Sequence, residues 1–134
     1  MGVNRRFLGL VVAGGAVGTA VRAALENEFP AQPGSWPWTT FVINVTGAFL
    51  LGTLLGHLTS AGADEGLRRD VRLGVGTGVM GGFTTYSTFM VEVDSLLRSG
   101  HLGTGALYAG GGVLVGLLAA AAGLSLGLRT GRRA

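Results

Sequence analysis

No charged side chain occurs between Leu102 and Leu128, and between Phe29 and Ala63 the only ionisable group is His57. A soluble fold would have to cover such stretches on every side, whereas a bilayer accepts them bare. A helix of about 20 apolar residues crosses the ~30 Å hydrocarbon layer. Four segments meet that length, roughly 7–25, 38–58, 71–91 and 102–128. They predict an all-α integral membrane protein with a single four-span domain over residues 1–134. Charged residues make up 13% of the chain, about half the ~25% of soluble domains, in keeping with lipid as the solvent. The absence of cysteine removes disulfides and thiolate metal sites. The first apolar run lacks a small-residue cleavage pattern and is followed by further spans, so it reads as a span and not as a secretory signal.

All ten basic residues are arginine, and they cluster at the ends of the apolar segments. That placement reads as membrane orientation rather than as a nucleic-acid surface. Four crossings put the amino terminus, the loop near residue 65 and the carboxyl terminus on one side. Arg5, Arg6, Arg68, Arg69, Arg72, Arg129, Arg132 and Arg133 lie there, against Arg22 and Arg98 on the other. The positive-inside rule then predicts a multi-pass protein of the inner (plasma) membrane with both termini cytoplasmic.

The least lipid-like stretch of the spans is Val79–Glu92, VMGGFTTYSTFMVE, with two adjacent glycines and five hydroxyls. Unwound backbone at bilayer depth is tolerated only where protein buries it or where it lines a wet cavity. The third helix is therefore expected to break near its middle, at Gly81–Thr84. Elsewhere glycines recur at helical spacing, as in Gly14 and Gly18 or Gly74, Gly78 and Gly82. Such small residues let helix backbones approach where no hydrophobic drive brings them together.

Polar side chains inside spans are costly and mark candidate sites. Asn44 is the deepest in the second span, with Thr40 one turn before it. Its amide serves either an interhelical hydrogen bond or an anion on a pore wall. Tyr86 and Phe89 share a helix face, and aromatic edges are electropositive, so the pair reads either as packing or as a flank for a small anion. Thr84, Thr85, Ser87 and Thr88 are expected to bond back to carbonyls one turn earlier, relieving the glycine break. Arg22 reads as an interfacial anchor or as positive potential in a vestibule, and Glu92 as a wetted helix end or an acid at a pore mouth. His57 and His101 lack partners at ligand spacing. No nucleophile–base constellation, phosphate loop or dinucleotide fingerprint is present, so the chain is not expected to be an enzyme.

Three segments together carry a family resemblance. GGAVGTAVR (Gly14–Arg22), TTFVINVTGAFLLG (Thr39–Gly52) and GTGVMGGFTTYSTFMVE (Gly76–Glu92), in this order and separation, resemble the CrcB/Fluc family of fluoride channels. The resemblance implies an antiparallel dimer enclosing two narrow pores that pass fluoride passively out of the cytoplasm. It implies a structural sodium ion at the dimer centre, not transported, held by the main-chain carbonyls of Gly81 and Thr84. The fluoride pore would be lined by Asn44, by Tyr86 and Phe89 in the places of two phenylalanines, and by Thr40 and Thr88. Arg22 would stand in the vestibule. Two departures are visible: Tyr86 replaces a phenylalanine, and the side-chain hydroxyl expected near Gly112 is missing. The arginine bias opposes insertion of one chain in both orientations, so the dimer partner is either a second copy or an oppositely oriented sister subunit. Two alternatives stand beside the channel. One is a small multidrug-type four-helix proton-coupled exporter, which needs a mid-span carboxylate that these spans lack. The other is a non-conducting partner subunit of a heterodimeric fluoride channel.

Overall fold

The computed structural model describes residues 4–132; Arg133, counted in the charge bias, lies outside them. Helix α1 runs Arg5–Glu28, opened by Asn4, whose side chain accepts the Arg6 N–H at 3.0 Å. Pro30, Pro33 and Pro37 keep the next link out of helix, and α2 begins immediately after them, Trp38–Ser60. The short α3 (Gly66–Val71) continues into a π-helical segment, Arg72–Met80, and then into one turn, α4 (Gly81–Phe83). After a break come α5 (Tyr86–Arg98) and α6 (Leu102–Gly131).

Helices α1, α2 and α6 are each long and apolar enough to cross a membrane unaided. The remaining crossing is composite, made of the π segment, α4 and α5. The helices run a few residues beyond the expected spans, because polar residues at span ends continue the helix into the interface.

The break does not fall on the glycines. Gly81 and Gly82 stay helical, and the backbone extends at Thr84 (φ −79°, ψ 155°) and Thr85 (φ −143°, ψ 120°). Hydroxyl chemistry accounts for this shift. Thr84 Oγ1 donates back to the Met80 carbonyl at 2.9 Å. Thr85 Oγ1 accepts the Thr88 N–H at 3.1 Å and so caps α5. Gly82 serves a different purpose: a Cβ there would lie 2.4 Å from the Gly15 carbonyl oxygen of α1.

Two helix pairs are knit by such approaches. On one side, a Cβ at Gly14 or Gly18 would sit 2.1 Å from the carbonyl oxygens of Gly74 and Val79. On the other, a Cβ at Gly123 or Gly127 of α6 would sit 2.1 Å from those of Phe49 and Thr53 of α2. Backbone-to-backbone packing of this kind replaces a side-chain core. Among the described residues the buried hydrophobics are only Ile43, Phe89, Val93, Leu96 and Tyr108. Large apolar side chains such as Leu8, Val12, Leu107 and Leu114 point outward, which suits lipid.

At the end of the bundle that holds the arginines, Arg72 forks onto Asp64 at 2.9 and 2.7 Å. Hydrogen bonding from Arg72 holds the Asp64 carboxyl below its usual range. With its folded value depressed, whatever the pair adds to stability is present above the ordinary carboxylate range and is lost as pH falls through the lowered value.

The α2–α6 contact makes a direct prediction. Gly127→Leu forces a side chain into the Thr53 carbonyl, and overpacking of this kind costs about 1–3 kcal/mol or more. Its melting temperature in detergent should fall clearly below that of Gly116→Ala, since nothing lies within 4 Å of a Cβ at Gly116. Equal melting of the two variants would mean that α2 and α6 do not touch as described.

Candidate functional site: the groove at the helix break

A groove of about 350 Å³ opens on one face of the bundle, bounded by α2, the break, α5 and α6. Asn44 and Gly47 come from α2, Thr84, Thr85 and Tyr86 from the break, Phe89 from α5 and Gly112 from α6. Five of the residues singled out in the sequence, Asn44, Thr84, Thr85, Tyr86 and Phe89, thus meet in one concavity. Thr40, Thr88, Arg22 and Gly81 are not among its lining residues.

Asn44 organises this face. Its Nδ2 donates to the Thr85 carbonyl at 2.9 Å, and its Oδ1 accepts the Thr85 N–H at 2.8 Å. One side-chain amide thereby satisfies both backbone groups of the residue that leaves the helix. A primary amide carries two N–H donors, so one remains after this pairing.

The same bond changes the carbonyls around the break. In an unbroken helix the Thr85 N–H would serve Gly81 C=O, four residues earlier; here it goes to Asn44. Among the described residues no hydrogen bond reaches Thr84 C=O. Gly82 C=O is served instead by Arg22 Nε at 3.1 Å, and Thr85 C=O by Asn44. The two carbonyls expected as cation ligands, Gly81 and Thr84, have therefore lost or lack a helical donor. Backbone oxygens of this kind suit a hard cation that needs no acidic cage. Among the described residues no group of His, Cys, Asp or Glu is placed to hold a metal ion.

The rings are arranged unequally. Tyr86 is 75% exposed at the open side of the groove, whereas Phe89 is buried beneath it, with ring centroids 6.4 Å apart. Phe89 packs on Tyr108 at 4.9 Å, and a Cβ at Gly112 would lie 2.8 Å from Phe89 Cε2. Glycine at 112 is therefore the seat of the Phe89 ring, so in this chain ring volume occupies the place where a hydroxyl was expected.

Thr40 is fully buried, and its hydroxyl donates to Glu92 Oε1 at 2.7 Å. Tyr108 donates to Glu92 Oε2, also at 2.7 Å. Glu92, Thr40 and Tyr108 thus form a polar cluster tying α2, α5 and α6 together, a grouping absent from the expectations drawn on sequence. The available signal was the i, i+3 spacing of Phe89 and Glu92, which places the acid on the same face as the buried ring. Thr88 turns inward at the cap, its hydroxyl accepting from Thr85 Oγ1 at 3.1 Å. His57 and His101 sit at helix ends away from the groove; a Cβ at Gly34 would lie 2.7 Å from His101 Nε2.

Comparison with known proteins places this geometry in a family. Residues 9–124 match the profile of the CrcB-like protein, Camphor Resistance (CrcB), family. The Fluoride-specific ion channel FluC 2 of Leifsonia xyli subsp. xyli is 51% identical over 131 residues, covering 98% of this chain and 90% of that protein. The Fluoride-specific ion channel FluC 1 of Cutibacterium acnes is 45% identical over 114 residues, covering 85% of this chain and 80% of that protein. Its namesake in Mycobacterium tuberculosis is 43% identical, covering 85% and 84%. These relatives are named as ion channels, not enzymes. The matched region takes in the groove, the break and most of the glycine-packed helix pairs, and this four-crossing helical membrane protein belongs to the CrcB/Fluc family.

Proposed function

We propose that this chain is a subunit of a fluoride-conducting channel that lets cytoplasmic fluoride leave passively. The observation that carries the reading is the convergence of Asn44, Tyr86 and Phe89 in one apolar groove, taken with the relatives' naming as fluoride-specific ion channels. Fluoride crosses membranes as neutral HF and ionises inside, so an open path for the anion suffices and no energy source is required. A narrow apolar passage strips water from an anion and must return donors in exchange. The free N–H of Asn44 and the positive edges of Tyr86 and Phe89 supply them without a fixed charge that would trap the ion.

The groove is bounded on one face of the bundle only, which supports an antiparallel dimer whose second subunit provides the missing wall. The same pairing would bring a second set of Gly81 and Thr84 carbonyls to the first, and four oxygens suit a sodium ion that stays in place. When bound, the ion would supply positive charge that ties the two breaks together. The arginine bias, eight against two, favours an oppositely oriented sister subunit over a second copy of this chain. In that case this chain alone is an incomplete or non-conducting partner.

A proton-coupled exporter is the competing reading, and Glu92 is the observation in its favour, because it is a carboxylate held inside the bundle. Both its oxygens are engaged, by Thr40 and Tyr108, and proton exchange would have to break those bonds. Export driven by a proton gradient would favour this reading; fluoride efflux without one favours the channel.

Tyr86 provides the cleanest test of the groove because its exposure separates conduction from folding. Tyr86→Phe should keep the electrode-monitored efflux of fluoride from liposomes, and Tyr86→Ile should reduce it by about tenfold or more, the scale of ~1.4 kcal/mol. Undiminished efflux in the isoleucine variant would remove this ring from the path. Phe89→Ile should suppress flux at least as strongly. Asn44→Asp should abolish flux and also lower the melting temperature, since aspartate cannot donate to Thr85 C=O. Replacing sodium by a large organic cation during purification should weaken the dimer measured by size-exclusion chromatography; indifference to the swap would count against Gly81 and Thr84 as ligands. The chain expressed alone should give little fluoride efflux if a sister subunit is required, and rapid efflux would identify a homodimer.

A further inference from the structure

Arg22 has no part in the groove, yet its side chain is only 22% exposed and two of its three guanidinium nitrogens are engaged. Nε donates to Gly82 C=O, and Nη1 donates to Glu26 Oε2 at 3.1 Å. Glu26 lies one turn further along α1 and is 27% exposed; its other oxygen, Oε1, is buried without a partner among the described residues. At this separation the two charges cancel beyond a few ångströms, so the pair offers little net potential to a distant anion. A free arginine would act as a point of attraction; this one is neutralised locally.

What Arg22 touches is more specific than a charged vestibule. Gly15, Thr19 and Arg22 fall on one face of α1 at successive turns. A Cβ at Gly82 would lie 2.4 Å from Gly15 O and 3.0 Å from Thr19 N. The close approach that demands glycine at 82 is thus what brings the Gly82 carbonyl within reach of Arg22, two turns beyond Gly15. In a continuous helix the N–H of Tyr86 would serve that carbonyl, and the extended residues Thr84 and Thr85 displace Tyr86 from the α4 turn.

We infer that Arg22, held by Glu26, is a positioning residue for the helix break: its Nε–H replaces the missing helical donor at Gly82 C=O, anchoring the last turn of α4 to α1. With Gly82 tied to α1 and Thr85 tied to Asn44 of α2, the break is pinned at both ends, and the carbonyls without a donor among the described residues, Gly81, Phe83 and Thr84, include the two expected as cation ligands. This last step rests on reading those two as ligands; the pinning itself does not. The alternative to be tested is that Arg22 acts only as a positive charge.

Gly82–Phe83 is the only Gly–Phe step in the chain. Carbonyl-¹³C glycine combined with ¹⁵N phenylalanine therefore gives one cross-peak, which reports Gly82 C=O alone. Losing the hydrogen bond should move this resonance upfield in Arg22→Gln and equally in Arg22→Lys, because lysine keeps the charge but not the planar fork. Glu26→Gln, which keeps an acceptor for Nη1, should leave it in place. Sodium needed for half-maximal dimer retention should rise roughly tenfold in both Arg22 variants, on the scale of one hydrogen bond to a charged group. A parental resonance in Arg22→Lys, or parental sodium response with only efflux reduced, would overturn the inference in favour of a charge role. If neither Arg22 variant folds, the parent protein decides: ¹⁵N-guanidino arginine must dephase the Gly82 carbonyl signal, and no dephasing overturns the contact. A parental chain that shows the contact but conducts no fluoride, either alone or co-expressed with an oppositely oriented sister subunit, would sink the channel reading and leave the positioning role standing.

Discussion

The paired hydrogen bonds between Asn44 and Thr85 are the constraint on which the functional face depends. A backbone that leaves its helix at bilayer depth exposes an N–H and a C=O with no water to receive them, each costing several kcal/mol. Asn44 answers both with one amide, the side-chain equivalent of a peptide group. Because α2 supplies that amide, the break is held against α2, which is also the helix that walls the groove. Thr85 at the same time caps α5 through its hydroxyl, so a single residue ends one helix and starts the next. Remove the asparagine and the break becomes two unsatisfied groups with nothing to fix their direction.

Glycine packing makes that arrangement possible in a chain of this size. With α1 against the π segment and α2 against α6 at backbone contact, the helices sit close enough for side chains to hydrogen-bond across. Thr40 to Glu92 and Arg22 to Gly82 are such reaches. The π segment, Arg72–Met80, serves the same close packing. An inserted π turn widens the helix and rotates the residues beyond it, while Gly74, Gly78 and Gly82 still face α1. The few buried side chains then collect where the packing is looser, around Phe89, Val93, Leu96 and Tyr108. That cluster supports the floor of the groove.

Much of this is legible in the sequence. Long uncharged runs can only be spans, so four crossings and their approximate ends come from hydropathy alone, and the hydroxyl-rich third span announces its own break. Hydropathy does not supply the residue at which the backbone opens. Glycine flexibility points to Gly81 and Gly82, yet flexibility is not a cause of unwinding; competing hydrogen bonds are, and these belong to Thr84, Thr85 and a partner 41 positions away in sequence. The Glu92–Thr40–Tyr108 cluster is hidden for a similar reason. It joins residues 52 and 16 positions apart, and each looks ordinary in its own segment. The missing hydroxyl near Gly112 reads as a loss in sequence and as room for Phe89 in three dimensions.

Orientation and assembly are bound together by the same groove. It lacks a wall, and Tyr86, the ring at its open side, is largely exposed. An aromatic residue left there has a use if another subunit closes over it. A partner related by inversion in the membrane would place its own break beside this one and bring its carbonyls to Gly81 and Thr84. Inserting this same chain upside down would carry eight arginines to the side that the positive-inside rule reserves for few. The proposed assembly calls for an inverted partner, and the charge opposes an inverted copy. A sister chain with the opposite arginine bias satisfies both demands, and a homodimer satisfies only the first.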